Sequence, residues 1–266
     1  MSLQYKEAFR NRRTRLLAWL IRLFYHHKVL NVPQLGDEPV IFVCNHNCIY
    51  GPVVASTFIP AKTSPWVGNS MLSYADAKKE TLWGLIHMGW PKWIANPLAA
   101  VITKLVITMI DAKEPIPVYR DSRTIITMRD SLNAMQHGRN ILIFPENPQS
   151  SGWDYFHDDD VAEFHDGFVY LAHMYYRKTG KQLTFYAVYC GKSERTVTFS
   201  EAVTYQPQNG IAHERVRVTQ DLYEKMKAIR DQGQKSRPSE NPINASARNS
   251  YYGSIGNLGE AMPSSL

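Results

Sequence analysis

The stretch from Val40 to Pro52 constrains the fold more than any other part of the chain. Its first five residues are apolar and mostly β-branched or aromatic, which predicts a buried strand that ends at Asn45. Pro52 suits the first turn of a following helix, which we expect over residues 53–58. His46 then lies in the turn between a strand and a helix, where α/β folds commonly place chemically active side chains. A histidine in such a turn either acts as a general base near neutral pH or satisfies a neighbouring backbone group.

The alternation of apolar strands and helices continues along the chain. Further strands are predicted at 65–69, 116–119, 140–144, 183–189 and 196–199, and helices at 74–88, 97–110, 123–136, 161–177 and 211–230. Pro97 is expected in the first turn of its helix, and Ser122 is expected to cap the helix that follows it. Strands alternating with helices predict an α/β fold, with a mostly parallel sheet and helices on both faces.

A basic amphipathic helix is predicted to precede this α/β pattern. Residues 5–28 spread apolar side chains over one broad face, whereas Arg15 and Arg22 share the other face beside Trp19. Such a helix either lies in a membrane interface, with its arginines on lipid phosphates, or packs on its own domain with a solvated basic edge. We favour the membrane interpretation because basic charge, tryptophan and apolar breadth coincide. Residues 1–30 therefore form a membrane-associating helix in this division, followed by the α/β domain (31–230) and a disordered polar tail (231–266).

The composition is consistent with a protein attached to the cytoplasmic face of a membrane, in a peripheral or monotopic manner. The 266 residues carry a net charge of +6, which favours an anionic partner, and their mean hydropathy of −0.34 argues against several membrane spans. The apolar stretch 93–110 is interpreted as a buried or interfacial helix. Cys44, Cys48 and Cys190 form an odd set without a CxxC motif, which is typical of a reduced protein.

Three motifs, in this order, resemble those of the glycerolipid acyltransferase family, whose best-known members are the 1-acylglycerol-3-phosphate acyltransferases. The first is Asn45-His46, which the family follows with four residues and an Asp. The second is a strand that leads to Arg120, and the third is Phe144-Pro145-Glu146 with Asn147 and Gln149. The resemblance covers about residues 35–200 and includes the segment 164–172 after the third motif.

This resemblance implies acyl transfer from the thioester of acyl carrier protein or coenzyme A to a hydroxyl of a membrane lipid. It implies His46 and Glu146 as catalytic residues, with His46 as the general base. It also implies that Asn45, Gly51, Arg120, Asn147 and Gln149 form the acceptor site, where the family's arginines hold a phosphate. No cofactor, metal or nucleic acid is expected.

The departures from the family pattern bear on activity and on the acceptor. Gly51 stands where the family has its histidine-orienting Asp, so another carboxylate would have to orient His46. The candidates are Asp37, Asp111, Glu146, Asp154 and Asp166. The alternative is a catalytically silent family member that binds lipid or acyl carrier as a scaffold or regulator. Gln149 replaces one phosphate-binding arginine, which favours a neutral or zwitterionic acceptor, such as a glycolipid or a larger lysophospholipid, over lysophosphatidic acid.

Other functional sites receive less support from the sequence. Cys48 is two residues from His46 and is weighed as a thiol nucleophile, but a small buried residue is the simpler interpretation. Residues 157–160 with His165 and Asp166 are weighed as a divalent-cation site against a solvated acidic loop, which is favoured. Nucleic acid is disfavoured because the basic charge lies on an apolar-faced helix.

Overall fold

The computed structural model describes residues 12–47, 50–87, 89–119, 121–146 and 161–235. These residues form an α/β fold. The helices within them are α1 (Arg12–Phe24), α2 (Tyr50–Phe58), α3 (Tyr74–His87), α4 (Lys92–Asp111), α5 (Thr124–Gln136), α6 (Tyr170–Thr179) and α7 (Ile211–Lys235). The strands are β1 (Lys28–Leu30), β2 (Val40–Cys44), β3 (Thr63–Gly68), β4 (Ile116–Val118), β5 (Asn140–Ile143), β6 (Thr184–Gly191), β7 (Thr196–Phe199) and β8 (Val203–Thr204).

One mixed, mostly parallel sheet organises these elements. Its order is β1-β7-β6-β2-β5-β3-β4, and β8 pairs with β6 outside this path. Strands β6, β2, β5, β3 and β4 all run in the same direction, whereas β7 and β8 are antiparallel to β6. The carboxyl ends of five strands therefore meet at one edge of the sheet, where α/β proteins form their sites.

Helices pack on both faces of the sheet, as the sequence predicted. Strand β2 shows the reason, because successive side chains of a strand point to opposite faces. Ile41 and Val43 join the cluster formed with α5, α6 and α7. Phe42 and Cys44 join the cluster formed with α2. All five residues of β2 are buried, which explains the continuous apolar run of the sequence.

The N-terminal helix differs from its predicted form. Within the described residues α1 spans 12–24, and residues 28–30 form the edge strand β1, which pairs with β7. Arg22 does not share an outer face with Arg15 for contact with phosphates. Its guanidinium donates to the carbonyl of Thr57 and lies over the ring of Phe58, because the carboxyl end of α2 offers acceptors to a cation there. The predicted placement of Arg22 on lipid phosphates is therefore wrong.

Helices α3 and α4 form a hairpin between β3 and β4. Helix α4 begins at Lys92 instead of Pro97, so the proline lies inside the helix, on its exposed side. Within the described residues α4 is long and apolar enough, by length and composition alone, to cross a membrane, yet only 22% of its most apolar window is buried in the protein. Of the two predicted placements, the low burial contradicts the buried one, and the interfacial one stays a prediction.

Three further element boundaries differ from the prediction. Residues 161–166 are not helical, because Phe164 pairs with Glu146 as an isolated bridge and the helix begins only at Tyr170. Ser122 does not cap α5; the side chain of Asp121 accepts the amide of Arg123 at 2.9 Å instead. Helix α7 continues to Lys235, five residues into the predicted tail, and residues 236–266 lie outside the described chain.

Candidate active site

His46 lies in a tight turn at the carboxyl end of the central strand β2. The turn is closed by two backbone hydrogen bonds, from the amide of Tyr50 to Asn47 O (3.2 Å) and from the amide of Gly51 to His46 O (3.1 Å). Asn47 adopts a φ of 37°, a left-handed conformation that asparagine tolerates better than most residues. The turn thus brings the chain from β2 directly into α2, with His46 half-buried at the sheet edge.

Glu146 joins the first motif to the third. Its Oε2 accepts the backbone amide of His46, although the two residues are 100 positions apart, and its Oε1 accepts the amide of Ala162 at 3.2 Å. The carboxylate is 6% exposed, and both oxygens are used on backbone donors. Charge-assisted bonds of this kind are among the stronger hydrogen bonds in proteins. Glu146 therefore fixes the position of the histidine turn against the segment after the third motif.

Phe144 packs against the imidazole ring of His46. The ring centroids are 5.6 Å apart and the planes are inclined by 77°, an edge-to-face arrangement. Phe144 follows β5 directly, and β5 is the parallel neighbour of β2, so adjacent strand ends bring the two rings together. The third motif consequently holds His46 twice, by the carboxylate of Glu146 on its amide and by an aromatic ring on its imidazole.

Asn45 is fully buried and binds the backbone of β6. Its Oδ1 accepts the amide of Cys190 at 2.7 Å, and its Nδ2 donates to Cys190 O at 3.3 Å. In this structure the side chain predicted to contact the acceptor is directed at the neighbouring strand.

Gly51 has no room for a side chain. A Cβ built on it would lie within 3.0 Å of Asn45 O and of the carbonyl group of His46, and real Cβ atoms do not approach backbone atoms so closely. The residue at the position of the family's Asp is therefore a glycine for a packing reason: the chain passes too close to the carbonyls of the histidine turn for any larger residue.

Buried His27 and half-buried Tyr50 form a pair behind the turn. The Nε2 of His27 contacts the hydroxyl of Tyr50, which also lies 3.2 Å from Gly191 O, and the Nδ1 of His27 lies 2.9 Å from Tyr25 O. Burial lowers the pKa of His27 below its ordinary value, the hydrogen bond to Tyr25 O opposes this shift, and the charges of Arg195 and His26 lower the pKa further. The segment between α1 and β1 is thereby connected to the first residue of α2.

The described cysteines are inert in this environment. Cys44 and Cys190 are both fully buried and free, and burial raises the pKa of each thiol, with a further contribution from the charge of Glu146. A thiol held protonated is a poor nucleophile. Cys48 lies outside the described residues, so its predicted role stays a prediction.

The second motif reaches the same sheet edge as the first and third. Strand β4 runs parallel to β3, and Tyr119 follows its carboxyl end, where the amide of Tyr119 donates to the hydroxyl of Thr127 at 3.3 Å. Arg120, Asn147 and Gln149 lie outside the described residues, and so does Asp154.

Among the other candidate orienting carboxylates, Asp166 forms an ion pair with Arg215 at 2.6 Å. Asp37 lies in the loop that precedes β2, and Asp111 is the last residue of α4. The described residues contain no group of three or more His, Cys, Asp or Glu side chains that could hold a metal ion. Residues 157–160, considered above as part of a divalent-cation site, lie outside this part of the chain.

Phe144, Tyr50 and His27 were not identified from the sequence as parts of the site. In the Phe-Pro-Glu motif the sequence predicted a role for Glu146 but none for Phe144. Tyr50 was only one of the variable residues after His46. A clue was available in Tyr50, because a large polar aromatic residue at the start of an otherwise apolar helix needs a partner for its hydroxyl.

Comparison with solved structures shows which known fold this chain resembles. The chain shares its fold with a glycerolipid acyltransferase of known structure, so the resemblance seen in the motifs is confirmed at the level of the fold. That protein is the 1-acyl-sn-glycerophosphate (LPA) acyltransferase PlsC from Thermotoga maritima. The match has a TM-score of 0.50 and 14% sequence identity, and it covers 86% of this chain and 80% of the other. No protein-family model and no curated protein sequence matches the chain.

Proposed function

We propose that this protein is an acyltransferase that moves a fatty acyl group from a thioester to a hydroxyl of a lipid-like acceptor. The observation that carries the proposal is the contact between Glu146 and His46. It joins the first and third motifs at the edge of the sheet where five strands end, within a fold shared with PlsC.

The proposed reaction needs one general base and an activated acyl donor. The imidazole of His46 removes the proton from the acceptor hydroxyl, and the oxygen attacks the carbonyl carbon of the thioester. The carbon–sulfur bond breaks as the new carbon–oxygen ester bond forms, and the departing thiolate takes up the proton from the imidazolium. Glu146 acts here as a positioning residue, since its carboxylate holds the amide of residue 46.

The donor and the location follow from the same proposal. Acyl carrier protein and acyl-coenzyme A both present the thioester that this chemistry requires. The acceptor is a lysophospholipid or a glycolipid in a membrane, so the protein would work at the cytoplasmic face of that membrane.

One observation favours a second candidate function. The backbone around Gly51 leaves no space for an orienting carboxylate at that position. Both carboxylate oxygens of Glu146 accept hydrogen bonds from backbone amides. A silent family member that binds lipid or acyl carrier as a scaffold or regulator would have no need of an oriented imidazole.

A thioester-consumption assay separates the two candidates. Wild-type protein is incubated with acyl-coenzyme A or acyl carrier protein and a panel of lysophospholipid and glycolipid acceptors. His46→Ala should lower turnover by about 10²–10⁴-fold, as expected when a general base is lost. His213→Ala, an exposed histidine on α7, is the matched control and should keep wild-type turnover. Turnover that His46→Ala leaves intact would exclude the proposed mechanism, and acceptor binding without any turnover would favour the scaffold.

A further inference from the structure

The hairpin of α3 and α4 has an inverted distribution of side-chain size. Three of the four buried residues of α4 are small, namely Ala95, Ala99 and Thr103, and the fourth is Met109 near the end of the helix. Large apolar side chains lie on its outer side at intervals of eight and four residues, with Trp93 77% exposed, Val101 57% and Leu105 46%. In a helix on the surface of a water-soluble domain the large apolar side chains normally face the core. Small inward residues and large outward ones are the pattern of helices that pack against each other in lipid.

Helix α1 shows the same inversion. Among residues 14–23, whose burial is described, Thr14 and Ala18 are buried, whereas the exposed side chains are apolar: Leu16, Trp19, Leu20 and Leu23. The two helices are in contact, because Ala18 packs against Met109 near the end of α4. Two adjoining helices thus leave their large apolar side chains uncovered by the described part of the chain.

Exposed tryptophans surround the tip of the hairpin. Trp83 lies on α3, Trp90 lies in the turn and Trp93 lies in the first turn of α4, and all three are at least 40% exposed. Tryptophan combines an apolar ring with one N–H donor, and it is enriched where hydrocarbon meets lipid headgroups. The hairpin leaves the sheet after Gly68 at the carboxyl end of β3, which is the edge where His46 lies.

We propose that these side chains form a lipid face that seats the hairpin and α1 in the interfacial layer of an anionic bilayer. The lipid face consists of Leu16, Trp19, Leu20 and Leu23 of α1, together with Trp83, Trp90, Trp93, Val101 and Leu105 of the hairpin. The bilayer is favoured over a protein partner by charge, since α1 contains three arginines besides the inward-directed Arg22, namely Arg12, Arg13 and Arg15, and no acidic residue. Lys104 is exposed within α4, so the helix lies along the interface instead of crossing the membrane. This inference deepens the proposed function, on which it rests for its lipid acceptor, by naming the surface that brings the site to that acceptor.

Flotation of the full-length protein with vesicles tests the lipid face. The vesicles contain phosphatidylglycerol and phosphatidylcholine in equal amounts. Val101→Glu places a charge in the lipid face, and Val216→Glu makes the same change at a valine of α7 that is 68% exposed. Val101→Glu should lower the vesicle partition coefficient by about tenfold or more, because a charge must then enter the apolar boundary. Val216→Glu should leave the coefficient unchanged, and both variants should melt like the wild type because both positions are exposed.

Equal binding by the two variants would overturn the inference. So would a wild-type dimer in sedimentation equilibrium that Val101→Glu converts to a monomer while vesicle binding persists, because a second copy would then cover the face. The proposed function is judged separately with His46→Ala, which should bind vesicles like the wild type. A lipid face that behaves as expected in a protein without turnover would refute the reaction and leave the surface in place.

Discussion

The amide of Gly51 donates to the carbonyl of His46 at 3.1 Å, and the same close approach leaves no room for a Cβ atom at residue 51. Gly51→Ala should therefore lower the free energy of unfolding by about 1–3 kcal/mol, as overpacking against fixed atoms does. Gly51→Asp should lower it further, so that restoring the family's residue would not restore an oriented imidazole.

Chemical denaturation measures this effect, and Gly84→Ala provides the control. Gly84 lies in the interior of α3 with nothing within 4 Å of a built Cβ, so alanine there should stabilise the protein by about 0.4–1 kcal/mol. A Gly51→Ala protein as stable as the wild type would show that the turn can move apart at little cost.

Glu146→Gln should loosen the histidine turn. The amide of glutamine has one acceptor oxygen, so its NH₂ group would face one of the two backbone donors that Glu146 now satisfies. We expect a loss of about 1–3 kcal/mol in unfolding free energy and a fall in kcat. Glu201→Gln, at a side chain that is 92% exposed, is the control for loss of charge and should change neither quantity. Unchanged stability in Glu146→Gln would mean that the carboxylate does not hold the turn.

His27 should make stability depend on pH below neutrality. Its pKa in the folded protein lies below the ordinary value of 6.5, so the unfolded chain binds more protons in the window below pH 6.5. Stability should consequently fall as pH decreases through that window, and His27→Gln should make the dependence shallower. Melting temperatures between pH 5 and about 7.5 test this, with His213→Gln as the control. An identical slope in His27→Gln and wild type would contradict the expectation.

Protonation of His27 should also change its hydrogen bonding to Tyr50. Neutral His27 donates from Nδ1 to Tyr25 O and accepts the hydroxyl proton of Tyr50 at Nε2, whereas protonated His27 donates from both nitrogens. Only in the second state is the Tyr50 proton available to Gly191 O.

Lys113 should make stability rise with pH on the alkaline side. It is 1% exposed, and burial lowers its pKa to about 7, with further contributions from the charges of Arg139 and Arg22. Between about pH 7 and 10.5 the folded form binds fewer protons than the unfolded chain, so stability increases with pH across that window. Lys113→Met should abolish this rise and stabilise the protein at pH 7 by about 1–4 kcal/mol. Lys104→Met, at an exposed position of α4, should have no such effect on the urea-unfolding profile.

Gln149 should set the preference for the acceptor. An arginine would add a charge-assisted contact to a phosphate, worth about 1.5–3 kcal/mol, which the neutral amide of glutamine lacks. Gln149→Arg should therefore raise kcat/KM for lysophosphatidic acid relative to a neutral acceptor by about tenfold or more. Competition between the two acceptors measures the ratio. A wide preference for lysophosphatidic acid in the unmodified protein would contradict this interpretation of the third motif.

The sequence predicted the sheet and its direction because buried parallel strands need continuous apolar runs, and β2, β5 and β6 each supply one. It did not predict β1, because three residues are too few to show a strand period; they form a strand by pairing with β7. Arg22 was misplaced for a related reason. Helical periodicity assigns a basic residue to the solvent side, and only the fold brings the Thr57 carbonyl within its reach.

The candidate site likewise contains residues that local motifs predict and contacts that only the fold creates. His46 and Glu146 could be proposed as site residues because their motifs are local, and Glu146 was among the candidate orienting carboxylates. Its actual partners, the amides of His46 and Ala162, depend on how the segment after residue 160 returns to the sheet, which no spacing reveals. The steric role of Gly51 also depends on three-dimensional distance, so the sequence showed only a missing carboxylate.

The side-chain amide of Asn45 takes the place of a backbone peptide group at the end of β2. Its side-chain amide offers one acceptor and one donor to the backbone of Cys190, as a further residue of the strand would. The backbone pairing of β2 with β6 ends at Cys44, and the side chain of Asn45 continues the hydrogen bonding to β6 beyond it. Aspartate could accept the amide of Cys190 but would place its second acceptor oxygen against the Cys190 carbonyl, and leucine would offer neither a donor nor an acceptor. The geometry therefore favours asparagine at residue 45, because its side chain ends one strand and keeps the hydrogen bonding to β6 beneath His46.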